Sequence, residues 1–128
     1  MNGQAIILFA HGARDPEWAA PFRIMQQQLQ AARPDAQVEL AFQDFMTPTL
    51  EAAVARVAAR GARRIVLVPL FMAQGGHLRQ DLPLMVDKVR GQHPQIDLQV
   101  TSAIGDVPEI LQAITDWVLR SASAREES

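Results

Sequence analysis

Four short apolar runs alternate along this chain with four longer stretches of helical period. The runs, at residues 5–10, 38–42, 64–70 and 97–102, are bounded by turn-forming residues and read as strands. Between them apolar positions recur every three to four residues, which predicts helices over residues 16–32, 48–60, 78–90 and 107–120. Asp15 stands before a proline at the first helical position, a favourable N-terminus. Thr47 and Asp106 are the expected caps of the second and fourth helices, and Gly61 and Gly91 the expected stops of the second and third.

Strand–helix alternation means βαβ units with right-handed crossovers, hence a parallel sheet covered on both faces. The first and third runs are apolar at every position (IILF, IVLV), as central strands must be. The second and fourth alternate (VELAF, IDLQV), as edges do. The expectation is therefore an α/β fold, a three-layer αβα sandwich of flavodoxin-like type with a four-stranded parallel sheet in the order 2-1-3-4. The 128 residues suit one domain over residues 1–121, followed by a small polar tail at 122–128 that is expected to fray.

Charge and composition then narrow the function. A net charge of −2 argues against a basic nucleic-acid surface, so no nucleic-acid partner is expected. With no cysteine, disulfides and thiolate metal sites are excluded, in keeping with a reducing compartment. No basic leader opens the chain and no run approaches the roughly 20 apolar residues that span a membrane. A cytoplasmic protein without a membrane partner is the expectation.

In open α/β sheets, ligands bind beyond the carboxyl ends of the strands where the strand order reverses, here between the first and third. His11 directly follows the first strand and His77 comes soon after the third, so two of the three histidines converge on that crevice. Each alone has an ordinary explanation, as a strand terminator or a solvated helix start. Together they point to chemistry, because imidazole ligates metals and exchanges protons near neutral pH. Two histidines leave coordination positions open, as a site that passes its metal on requires and a closed structural site does not provide.

Arg14 and Arg79 stand near the two histidines and can clamp carboxylates in bidentate fashion, or simply be solvated. Gly75 and Gly76 permit either a positive φ with close approach to a ligand or a plain turn. Asp44 follows the second strand as a third metal ligand, a proton acceptor or a turn residue. Phe71 and Met72 fit a wall for a flat ligand, or core packing. His93 lies in a turn away from the strand ends, and Trp18 and Trp117 are expected to pack. No P-loop, Arg-His-Gly phosphatase motif or G-x-S-x-G elbow is present.

In order and spacing, the segments FAHGARDP, AFQDFMTP and PLFMAQGGHLRQDLP resemble the small class II tetrapyrrole chelatases, which insert cobalt or ferrous iron into sirohydrochlorin. Alanine stands at position 13 where that family usually has serine, and Asp44 where it often has glutamate. The resemblance implies a chelatase-like fold and a chelatase of siroheme or cobalamin biosynthesis. His11 and His77 would be its catalytic and metal-binding pair, Asp44 a further ligand, and Arg14, Gly75, Gly76 and Arg79 would bind the tetrapyrrole. It also implies a homodimer. Co²⁺, Fe²⁺ and Ni²⁺ all suit a nitrogen-rich open site, and no organic cofactor is expected. A carrier using the same two histidines without turnover is the alternative.

Overall fold

The computed structural model describes residues 3–127. Its strands are β1 (Gln4–Ala10), β2 (Gln37–Phe42), β3 (Arg64–Pro69) and β4 (Asp97–Val100), and its helices α1 (Ala20–Ala32), α2 (Leu50–Ala59), α3 (Gly76–Gln92) and α4 (Pro108–Glu127). Single 3-10 turns, Pro16–Ala19 and Ile104–Asp106, lead into α1 and α4. All strand pairs are parallel and the order is β2-β1-β3-β4, as the apolar pattern implies.

The pattern succeeds because both faces of the central strands are covered. On one face Ile7, Phe9, Ile65 and Leu67 pack with Val54 and Val57 of α2 and Val86 and Val89 of α3. On the other, Leu8, Ala10, Leu40 and Phe42 pack under Trp18, Phe22, Met25 and Leu29 from the 3-10 turn and α1. Phe9 is fully buried, and truncating such a side chain to alanine typically costs about 3–5 kcal/mol.

Several boundaries differ from expectation for local reasons. The cap of α2 is Thr49 and not Thr47: its hydroxyl accepts from the Ala52 N–H at 3.2 Å. The chain first passes a cis Thr47–Pro48 bond, and the Pro48 carbonyl accepts from the Phe42 N–H at the end of β2. Gly91 does not stop α3, which runs from Gly76 to Gln92, because Gly91 keeps a negative φ. α4 continues to Glu127 rather than ending near Arg120; its Ser-Ala-Arg-Glu segment contains no glycine or proline to stop it. Ser128 lies outside the described residues.

Trp18 packs on Phe22 with ring centroids 4.8 Å apart, but Trp117 does not pack: it is 62% exposed. α4 rests on the 3-10 turn at its base, and every residue from 111 to 120 is exposed. Among the described residues no helix is long and apolar enough to cross a membrane.

Candidate active site

β1 and β3 are adjacent, and the chain leaves them in opposite directions, through α1 on one face and α3 on the other. The crevice this creates at their carboxyl ends carries His11 on one side and the start of α3 on the other.

His11 is exposed, yet its ring is fixed on two sides. It lies against Phe71 with ring centroids 4.3 Å apart, and Phe71 is itself buried edge-to-face on Phe9. Its Nδ1 stands 3.2 Å from Oε1 of Gln43. An amide oxygen only accepts, so in this arrangement Nδ1 is the donor, which leaves Nε2 as the nitrogen with the free lone pair in the neutral ring. A fixed tautomer of this kind is what a metal-ligating or proton-accepting imidazole needs. Gln43 was not singled out from the sequence, but a signal existed. Parallel register pairs Ala10 with Phe42, so the next residues, His11 and Gln43, must be neighbours.

Gly12 lets the β1 and β2 connections close on each other. Its φ is +88°, and a Cβ there would lie 1.9 Å from the Asp44 carbonyl oxygen. The Asp44 N–H donates to the His11 carbonyl at 2.9 Å, and the Gln43 N–H to the Ala10 carbonyl at 2.9 Å. Beyond Asp44 the chain reverses within one residue. The Met46 N–H donates to the Asp44 carbonyl at 2.8 Å across Phe45, whose φ is +67°. This is a tight γ-turn with a bulky residue at its left-handed centre, a conformation that costs on the order of 1–3 kcal/mol. Phe45 is 66% exposed, and the Arg14 guanidinium sits 4.8 Å from its ring centroid.

On the β3 side, Phe71 and Met72 divide the roles expected of them. Phe71 is core, while Met72 is 53% exposed at the rim. The loop is braced by Gly105, whose N–H donates to the Phe71 carbonyl at 3.1 Å and whose missing Cβ would lie 1.6 Å from the Met72 carbonyl oxygen. Gly75 is the N-cap of α3 with φ −70°, Gly76 opens the helix, and His77 and Arg79 project from its first turns, both exposed. Neither glycine has a positive φ, and a Cβ on either would meet nothing within 4 Å. The fold itself therefore does not demand glycine at 75 or 76.

His11 and Asp44 sit on the connections that follow β1 and β2, and His77 in the first turn of α3. Among the described residues no group of three or more His, Cys, Asp or Glu side chains could hold a metal ion, so these three do not form a ready-made cluster within one chain. A cavity of about 320 Å³ opens beside Gln43 between α2 and α3, bordered by Phe9, Thr49 and Glu51 but by neither histidine. His93 caps the far end of α3, remote from the crevice.

The CbiX family profile matches residues 5–121. The chain belongs to the CbiX family. This CbiX-family chain is 31% identical over 106 residues to the sirohydrochlorin cobaltochelatase of Saccharolobus solfataricus, covering 78% of this chain and 81% of that protein. With the sirohydrochlorin cobaltochelatase of Sulfurisphaera tokodaii it shares 29% identity over 121 residues, 92% of this chain and 96% of the relative. Its fold matches a CbiX protein from Marinobacter aquaeolei with a TM-score of 0.81 at 30% identity, over 94% of this chain and 98% of the other. The sirohydrochlorin chelatase SirB from Bacillus subtilis subspecies spizizenii, solved in complex with cobalt, superposes with a TM-score of 0.69 at 25% identity. That match covers 88% of this CbiX-family chain but only 48% of SirB.

Proposed function

We propose that this chain is a sirohydrochlorin chelatase that inserts a divalent metal, Co²⁺ or Fe²⁺, into the macrocycle. The observation that carries the reading is the His11 imidazole at the carboxyl end of β1 in a CbiX-family chain, exposed and held by Gln43 and Phe71. Insertion exchanges two pyrrole protons for one M²⁺. The metal must shed water and be offered to the ring, and two bases must take the protons. His11 and His77 supply neutral nitrogen ligands that hold the ion without closing its coordination sphere. The two-histidine set, rather than a three-ligand cage, suits a metal that is cargo and must leave.

As the metal transfers to the ring, the freed imidazole lone pairs become proton acceptors, with Asp44 at the rim as a further one. Arg14 and Arg79 pair with the peripheral carboxylates of the tetrapyrrole. Gly75 and Gly76, which the fold does not require, leave the backbone at the start of α3 open to a flat ligand.

The working form proposed is a homodimer. Leu111, Ile114 and Val118 share one stripe of α4 with Trp117 beside it, each between 41% and 62% exposed. Contiguous apolar surface of this kind marks an interaction site. The reading places the protein in the cytoplasm, in keeping with a chain that contains no cysteine.

The test is to mix the purified protein with sirohydrochlorin and Co²⁺ or Fe²⁺ under anaerobic conditions, and to follow the absorption change of metallation. We expect a rate well above the uncatalysed one, with turnover in excess of protein. A carrier would bind the macrocycle and leave the rate unchanged.

A further inference from the structure

Of the five phenylalanines, Phe9, Phe42 and Phe71 are buried and Phe22 is half-buried on the inner face of α1, but Phe45 stands 66% exposed. It does so at backbone cost, at the left-handed centre of a γ-turn where glycine or asparagine would be at ease. Nothing in the core rewards the placement. Met46, the next residue, is the one that packs inward, against the cluster beneath α1. The turn is also held firmly, by the Asp44 N–H on the His11 carbonyl and the Phe42 N–H on the Pro48 carbonyl, both at 2.9 Å. A strained, well-anchored backbone that pushes an aromatic ring into solvent beside a candidate catalytic histidine is characteristic of a functional contact.

We propose that Phe45 is the platform on which the tetrapyrrole plane stacks, on the face opposite Arg14, whose guanidinium supplies the charge for a neighbouring peripheral carboxylate. This rests on the chelatase reading above and adds a positioning residue to it. The chemistry matches on both counts. An exposed aromatic face offers sequence-tolerant π-stacking to any flat conjugated ligand. The Arg14 guanidinium lies over one face of that ring, 4.8 Å from its centroid, which leaves the other face for the macrocycle and puts a positive charge close to where a carboxylate at its edge would lie. The γ-turn ties this platform directly to the His11 backbone, so a ring seated on Phe45 is registered against the imidazole that must exchange metal and protons with it.

The experiment is a fluorescence titration of metal-free sirohydrochlorin into wild-type protein, Phe45→Ala, Phe45→Gly and Phe45→Trp, with the melting temperature of each. Loss of stacking should raise Kd about tenfold or more in the alanine and glycine variants, and tryptophan should stay within about threefold of wild type. Phe45→Gly should melt no lower than wild type, since glycine is unstrained at φ +67°. That separates a ligand contact from a structural one and keeps the test valid if the alanine variant folds poorly. Alanine and glycine variants that bind within about threefold of wild type would overturn the proposal. So would a glycine variant that melts well below wild type, which would make Phe45 a structural residue. Because the titration needs no turnover, a wild-type protein that binds the macrocycle without metallating it contradicts the chelatase reading and not the stacking platform. One that fails to bind contradicts both.

Discussion

Replacing Gly12 with alanine should be far more damaging than its size suggests, and a matched control separates the causes. Alanine at φ +88° carries a left-handed penalty of roughly 1–2 kcal/mol. In addition, its Cβ would lie 1.9 Å from the Asp44 carbonyl oxygen, so the β2 connection must retreat by more than an ångström. That connection is tied by the Asp44 N–H bond to His11 and the Met46 N–H bond to Asp44, each worth about 0.5–1.5 kcal/mol net. The expected total is about 2–5 kcal/mol, a fall of roughly 8–20 °C in Tm for a chain of this size. Gly61 has a similar φ of +97° but nothing within 4 Å of its would-be Cβ, so Gly61→Ala should cost only the backbone part, about 1–2 kcal/mol. Thermal unfolding by circular dichroism measures both. A Gly12→Ala variant no less stable than Gly61→Ala would show that the two connections do not press together as described.

Gln43→Met removes the acceptor that fixes the His11 tautomer while keeping side-chain length. Metallation should slow about 10–100-fold with little change in Tm, and an unchanged rate would deny Gln43 its orienting role. Light scattering should give the mass of the proposed homodimer for wild type and of a monomer for Trp117→Glu on the exposed face of α4, whereas a monomeric wild type or an unchanged mass in the variant would contradict the proposed interface. Lys88 donates to Glu51 at 2.7 Å and holds its carboxyl below the ordinary 4.5. This tie between α3 and α2 contributes stability at neutral pH that fades as pH falls below 4.5 through the lowered value. Glu51→Gln should therefore shed part of the acid-side loss of Tm, and an identical pH profile would contradict the linkage.

The sheet order was legible because full coverage of β1 and β3 is written into unbroken apolar runs and the edges into alternation. The positions of His11 and His77 followed from the same strand ends. Less was legible wherever local signals compete. Thr47 and Thr49 both stand ready to cap α2, and only the pairing of Phe42 with Pro48 shows that the helix begins after the second. Trp117 has the spacing of a packed residue, yet it stands 62% exposed on a helix that touches the rest of the fold mainly at its base. Gln43 was readable once the register was assigned. Phe45 was not, since no propensity rule places phenylalanine at a positive φ. That residue breaks local preference, as residues at functional sites do.

The most direct measurement is the initial rate of Co²⁺ insertion into sirohydrochlorin by His11→Ala and His77→Ala, each checked for native circular dichroism, beside His93→Ala. If the two imidazoles handle metal and protons at the crevice, the first two variants fold normally and are nearly inactive while the third resembles wild type. Wild-type-like rates in either of the first two would contradict that account.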